Sequence, residues 1–210
     1  EVAKESHNYH QYALILETGL RTGELIGLTW DSIDWDNRTL TVNKALEFRY
    51  KQQVWRAGPP KTQTSYRTIP LTNRAYDILL DLKDAKKTRK MSEELNQVLT
   101  YTDRRTGQNA SMVLNELVFI NYRTGMPMKN SSYDTHLYKL CEKAEIPPFS
   151  MHTLRHTYAT RAIESGVQPK VLQHLLGHAS IQTTMDTYVH VTDDSMIKAI
   201  QQFENRLVAE

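Results

Sequence analysis

Cysteine is almost absent. Cys141 is the only one in 210 residues, so no disulfide can form within the chain, which suits a reducing compartment. Its expected role is that of a small buried apolar residue on a helix. Long apolar runs are missing too. No stretch approaches the roughly 20 residues that a membrane-spanning helix needs, and the amino terminus lacks the basic-then-apolar pattern of a secretory signal. A cytoplasmic protein without membrane contact is expected. Nor does charge of one sign dominate: 26 Lys and Arg against 24 Asp and Glu leave a formal net charge of +2, so composition alone does not announce a nucleic-acid binder. There is no glycine-rich phosphate loop and no acidic cluster suited to a divalent cation. No metal and no cofactor is expected.

What is present is ordinary for a globular protein, with 40% hydrophobic and 24% charged residues, and the length suits one buried core with insertions. The chain opens on Glu1 and runs almost at once into a helical pattern, as an excised domain would, so an amino-terminal partner domain is expected outside it. Apolar residues from Tyr9 to Leu28 recur at helical spacing and predict two short helices joined at Gly19 to Thr22. Thr39 to Glu47 alternates like a strand, as does Tyr66 to Leu71, with a turn or irregular connection near Lys51 to Lys61. Thr72 is a candidate N-cap for a helix whose buried stripe is Ala75, Leu79, Leu80 and Leu82. Residues 83–117 begin with a basic run, seven Lys or Arg against four acids from Lys83 to Arg105; this part reads as an insertion or a solvated helix pair. A short strand at Val118 to Ile120 follows, then helices at about 129–144, 151–165, 169–176, 180–186 and 194–207. The fold class is mainly α with a small antiparallel β-sheet.

The densest reactive cluster lies between His152 and His190. Histidines four apart on a helix share a face and can bind zinc, so the pairs His152/His156 and His174/His178 were tested first. Neither has the Glu that a helical zinc protease carries after its first His, since Thr153 and Leu175 stand there, and Gly177 marks a helix end that spoils the second pair. The other pairing is His152 with Arg155, an imidazole beside a guanidinium. Arg recognises phosphate in a planar, bidentate way and stays ionised at any working pH. His156 would then point elsewhere, as a core histidine or a support behind the site.

This His-x-x-Arg keeps ordered company. Thr18-Gly19-Leu20-Arg21-Thr22-Gly23-Glu24-Leu25, then Pro60-Lys61-Thr62 leading into Tyr66-Arg67-Thr68-Ile69-Pro70-Leu71, then His152-Thr153-Leu154-Arg155-His156-Thr157, Leu175-Leu176-Gly177-His178 and Thr187-Tyr188 resemble, in order, the signature stations of the tyrosine recombinase, or phage integrase, family. The resemblance covers about Tyr9 to Val191 and is greatest to the integrases of conjugative transposons. It implies a tyrosine recombinase catalytic-domain fold over residues 1–210, with amino-terminal DNA-binding domains absent. Arg21, Arg155 and His178 would hold the scissile phosphate, Glu24 would steady Arg21, and Tyr188 would attack phosphorus to leave a 3′-phosphotyrosine. Lys61, carried on the sheet, would protonate the leaving 5′ oxygen, while His152 would accept or orient the tyrosine proton. His190 would support the site from behind, Arg67 would support the sheet or contact a DNA phosphate, and Lys129 would contact DNA. The implied partners are double-stranded DNA, three further copies of the chain in a tetramer on paired sites, and an accessory excision factor. The apolar stripe Met196, Ile197, Ile200, Phe203 and Leu207 in a helix at 194–210 would be exchanged between protomers.

Elementary chemistry agrees with these roles. A phenol with a pKa near 10 is only about one part in a thousand ionised at pH 7, so a tyrosine nucleophile needs a base or cationic neighbours. A lysine can give up a proton, whereas an arginine practically cannot. A covalent intermediate conserves the phosphodiester's energy, so rejoining requires neither ATP nor metal. Two other readings stay open at this point: a type IB topoisomerase using the same kind of site, and a DNA-binding protein whose active site is idle.

Overall fold

Helix α1 (Tyr9–Thr18) runs through the middle of the domain, with Tyr12, Ala13, Leu14 and Ile15 all buried. The computed structural model describes residues 1–86, 92–121, 123–186, 200, 201 and 204. Gly19 ends α1 in the left-handed conformation at φ 63°, donating to Ile15 O, and the chain turns at once into α2 (Thr22–Ile26). The two expected helices and their joint are therefore as the periodicity implied. Antiparallel strands β1 (Ile33–Asp34), β2 (Thr39–Val42) and β5 (Arg67–Pro70) form one sheet in the order β1-β2-β5.

The expected single strand from Thr39 to Glu47 is two strands. After Val42 the chain leaves that sheet, and β3 (Ala45–Arg49) pairs with β4 (Val54–Gly58) in a separate hairpin that packs on α2. Period-2 alternation survives in both pieces, Leu40 and Val42 facing inward in the first and Leu46 and Phe48 in the second, which is why the break is invisible in the pattern.

Helix α3 (Asn73–Ala85) starts where expected, with the Thr72 hydroxyl accepting from Ala75 N at 3.1 Å. Its buried stripe is Ala75, Ile78 and Leu79; Leu80 faces solvent. The described part of 83–117 corrects the expectation of a solvated helix pair. It forms the hairpin β6 (Val98–Thr102) and β7 (Asn109–Val113), flanked by single turns of 3₁₀ helix, and it delivers Leu95, Met112, Leu114 and Leu117 into the main core. The expected strand at Val118 to Ile120 is absent as well; that segment is tied down by Val118 N donating to Leu28 O and by one bridge between Thr29 and Leu117.

The remaining helices are α4 (Asn130–Lys143), α5 (Met151–Glu164), α6 (Pro169–Leu176) and α7 (Ile181–Asp186), each within two residues of expectation. Cys141 is buried on α4. Helix α5 packs along α1, and α6 packs on α5 through Ala159, Leu172 and Leu176. The helix expected over 194–207 falls outside the described residues except for Ile200, Gln201 and Glu204. No helix among the described residues is long and apolar enough to cross a membrane.

Because Leu114 is fully buried, truncating it should leave a cavity in the main core. Leu114→Ala is expected to lower unfolding free energy by ~2–4 kcal/mol in urea titrations; a change below ~0.5 kcal/mol would mean that this hairpin is peripheral.

Candidate active site

A helix leaves its last four carbonyls without intrahelical donors. At the end of α6 the first two are closed locally: Gly177 adopts φ 64°, its N–H donates to His174 O at 3.0 Å and the N–H of His178 donates to Gln173 O at 3.1 Å, a Schellman closure. The remaining two, and the carbonyl of Gly177 just beyond them, each take a different arginine. Arg67 Nε donates to Leu175 O at 2.6 Å, Arg155 Nη2 to Leu176 O at 2.6 Å, and Arg21 Nη2 to Gly177 O at 3.0 Å. The partial negative charge of the helix terminus favours this gathering of cations.

Each arginine arrives for a local reason. Arg21 sits between Gly19 and α2, where the Glu24 carboxylate accepts from its backbone N–H at 2.9 Å and from Nη1 at 2.8 Å. Arg155 occupies the buried face of α5 with Met151, Leu154 and Ala159, and donates also to Gly19 O. Arg67 is inward on β5 because it alternates with Ile69; it makes a bidentate pair with Glu24, Nη2 to Oε2 at 2.8 Å and Nη1 to Oε1 at 3.1 Å. Its side chain is 2% exposed. The expectation that Arg67 contacts DNA is therefore corrected: it is spent inside the domain, holding Glu24 and the end of α6.

Glu24 is thus the lone carboxylate bridging Arg21 and Arg67. Burial would raise its pKa, but the charges and hydrogen bonds of Arg67 and Arg21 outweigh burial and hold it down to about 2. Burial pulls Arg155 down to about 9, with Arg21 adding repulsion; it remains a cation at neutral pH. His178 leaves the helix past Gly177, and its Nδ1 lies 3.0 Å from the hydroxyl of buried Thr184 on α7. Burial, then Arg155 and Arg21, lower its pKa to about 4, so its ring is neutral at pH 7. In the tautomer whose Nδ1 accepts from the Thr184 hydroxyl, the ring proton resides on Nε2, where it is a hydrogen-bond donor.

His152 is exposed on α5, one turn before the buried Arg155, and its ring meets that of His156 edge-on, centroids 4.3 Å apart. His156 is accordingly neither buried nor turned away, contrary to expectation. Burial, then His156 and Arg155, lower the His152 pKa, which favours the neutral, proton-accepting form. Lys61 is not on a strand; it is exposed in the connection between β4 and β5, just ahead of a 3₁₀ turn at Gln63–Ser65. It lines a cleft of 1040 Å³ together with Arg21, Arg49, Arg56 and Arg104. Lys129 begins α4 with its ammonium 3.7 Å from the centre of the Phe48 ring, a cation–π contact that leaves its charge available. Tyr188 and His190 lie outside the described residues. Among the described residues no three His, Cys, Asp or Glu are grouped to hold a metal ion.

Support of the sheet was one of the two roles read for Arg67, but its pairing with Glu24 and with the end of α6 was missed, although its alternation with Ile69 signalled an inward side chain. Sequence reasoning also missed Ser65, Thr184 and the cleft arginines, for which the sequence offers no signal.

A mainly helical domain with small antiparallel sheets, carrying two clamped arginines and a neutral histidine around one helix end, defines a site for an oxyanion such as a phosphate. The phage integrase family model matches residues 2–195, and the chain belongs to this family, the tyrosine recombinases. It is 29% identical over 215 aligned positions to the transposase from transposon Tn916 of Enterococcus faecalis, covering 97% of this chain and 48% of that protein. A XerC-like tyrosine recombinase of Caldanaerobacter subterraneus subsp. tengcongensis is 28% identical over 94% of this chain and 49% of its own length. The chain thus spans about half the length of these relatives. Among solved structures, the Tn1549 transposon integrase in complex with transposon right end DNA superposes with a TM-score of 0.72 at 28% identity, covering 93% of this chain and 58% of the other. The fold class read from the sequence, and the likeness to transposon integrases, are both borne out.

Stability should follow the Glu24 carboxylate. Its folded pKa is depressed from the ordinary 4.5 to about 2, so the stabilisation is fully present above pH 4.5 and is lost as pH falls toward 2. The loss should be on the order of 3 kcal/mol. In denaturant titrations from pH 5 to pH 2, Glu24→Gln should start less stable and lose less than the native chain; parallel losses would remove Glu24 as the cause.

Proposed function

We propose that residues 1–210 form the catalytic domain of a site-specific recombinase that integrates or excises a mobile element, cutting and rejoining DNA through a 3′-phosphotyrosine. One observation carries this reading: Arg21, Arg155 and His178, far apart in sequence, meet at the end of α6 as fixed donors with no acid left uncompensated among them. Family membership and relatives that are transposases and recombinases favour recombination over topoisomerase chemistry and over an idle site.

In this mechanism the two guanidinium groups and His178 Nε2–H hold the non-bridging oxygens of the scissile phosphate, and their hold tightens as charge builds on them in the pentacoordinate state. The Tyr188 oxygen forms a bond to phosphorus while the bond to the 5′ oxygen breaks. His152, kept neutral, takes the phenol proton, and Lys61 gives its proton to the leaving 5′ oxygen. The reverse sequence, with a different 5′ hydroxyl, rejoins the strands. Glu24 and Arg67 position Arg21, and His190 is read as a support behind Tyr188. Duplex DNA is bound through the basic cleft and Lys129, largely by its phosphates. The working assembly is a tetramer on paired sites, joined by exchange of the helix at 194–210 and assisted by an accessory excision factor. It acts in the cytoplasm and needs no cofactor.

The test uses a nicked suicide duplex carrying the element's end, with adducts resolved on a denaturing gel. Native chain should become covalently attached to DNA and Tyr188→Phe should not; trapping of both would assign the attack to another residue. Arg155→Ala should slow adduct formation by roughly 10²–10³-fold. A chelator should leave the native rate unchanged, because the charge is met by arginine and histidine; a rate that collapses with chelator and recovers with a divalent cation would overturn the scheme.

A further inference from the structure

The general acid in the proposed reaction is exposed, and no described side chain is hydrogen-bonded to Lys61, yet a proton donor must be held within hydrogen-bond reach of the 5′ oxygen to be useful. What fixes it is the chain on either side. Pro59 and Pro60 stiffen the approach. Four residues after Lys61, Ser65 is fully buried. Ser65 closes the turn with its N–H on Thr62 O at 3.1 Å. Its hydroxyl lies 2.8 Å from the Thr62 hydroxyl, accepts from Arg21 Nη1 at 3.3 Å and donates to Gly177 O at 3.4 Å. Its carbonyl accepts from Arg67 Nη1 at 2.9 Å. The fit is close enough that a Cβ on Gly177 would lie 2.9 Å from Ser65 Cα.

We infer that Ser65 is the positioning residue that couples the acid to the phosphate clamp, pinning the Lys61 turn to the same carbonyl, Gly177 O, that holds Arg21. The inference rests on the proposed phosphoryl transfer, with Lys61 as its acid. The hydroxyl is the only side-chain group in the turn that touches both the clamp arginine and the end of α6. Thr62, the residue that follows Lys61, joins this set of hydroxyls, its Oγ1 lying also 3.0 Å from that of Thr64.

A merely structural serine and one that places the acid differ in how they respond to the leaving group. When the bond from phosphorus to the 5′ oxygen breaks, that oxygen needs a proton from Lys61. When sulfur replaces this oxygen, the thiolate departs without one, since a thiol is far more acidic than an alcohol. Single-turnover adduct formation should therefore be measured on nicked duplexes with oxygen or sulfur at the bridging 5′ position, for native chain, Ser65→Ala, Thr62→Val, Lys61→Ala and Arg155→Ala.

Ser65→Ala is expected to be slower by about 10-fold or more on the oxygen substrate, part of the roughly 10²–10⁴-fold that a positioned acid supplies. It should come within about threefold of native on the sulfur substrate, in the pattern of Lys61→Ala. Arg155→Ala should stay slow on both. Thr62→Val, which keeps the side chain's shape, should show the same rescue in smaller measure and serves if Ser65→Ala does not fold. Equal slowing of the serine and threonine variants on both substrates, or no slowing on either, overturns the inference while leaving the recombinase reading intact. A native chain that forms no adduct with either substrate, on a duplex it binds, overturns both.

Discussion

Three successive backbone carbonyls at the end of one short helix, each bonded to a different arginine, hold the active region together. Guanidinium groups repel one another, and burying them costs solvation; the arrangement survives because the helix terminus presents concentrated negative dipole where the cations gather, and because Glu24 adds a full charge between two of them. Elements that are remote in sequence are joined by this device. The end of α1 reaches it through Gly19 and Arg155, α2 through Arg21, the sheet through Arg67, and α7 through Thr184 and His178.

The arrangement also explains why the site suits an anion. Two arginines that look onto the site are fixed by carbonyls and by one carboxylate that is itself shared with Arg67. The field left over is positive, and together with burial, the larger cause, it lowers the pKa of His178 and of His152. Electrostatic stabilisation of developing charge works best when donors need no reorganisation during the reaction, and here the packing of α5, α6 and β5 has already oriented them.

Helix boundaries and the arginines Arg21 and Arg155 gathered at the end of α6 were legible in the sequence because helical periodicity, the glycines at 19 and 177 and an ordered set of motifs each pointed to the same places. The division of 39–49 between two sheets was not, since alternation continues unbroken through Asn43 and Lys44 and gives no sign that the hydrogen-bonding partner changes. Residues 83–117 misled for another reason: the charge at their start masked four core positions, Leu95, Met112, Leu114 and Leu117, whose uneven spacing fits no single helix or strand. Arg67 shows the limit of residue type as a guide. Its position on the inward face was written in its alternation with Ile69, but a charged residue reads as exposed unless its partner is known, and Glu24 lies 43 residues away. Ser65 left no trace, because a small hydroxyl inside a turn looks like any loop serine.

Carbonyl oxygens belong to the backbone, so the anchors at Leu175 and Leu176 would survive replacement of either side chain, provided the helix still packed. The side chains there answer to the apolar surface around them, and the gathering of arginines is indifferent to their identity. Sequence drift along α6 is thereby separated from chemistry at its end, with a single exception: position 177 must adopt a left-handed backbone and leave room for the Ser65 turn, and there the genetic freedom of a backbone contact gives way to a demand for one particular residue.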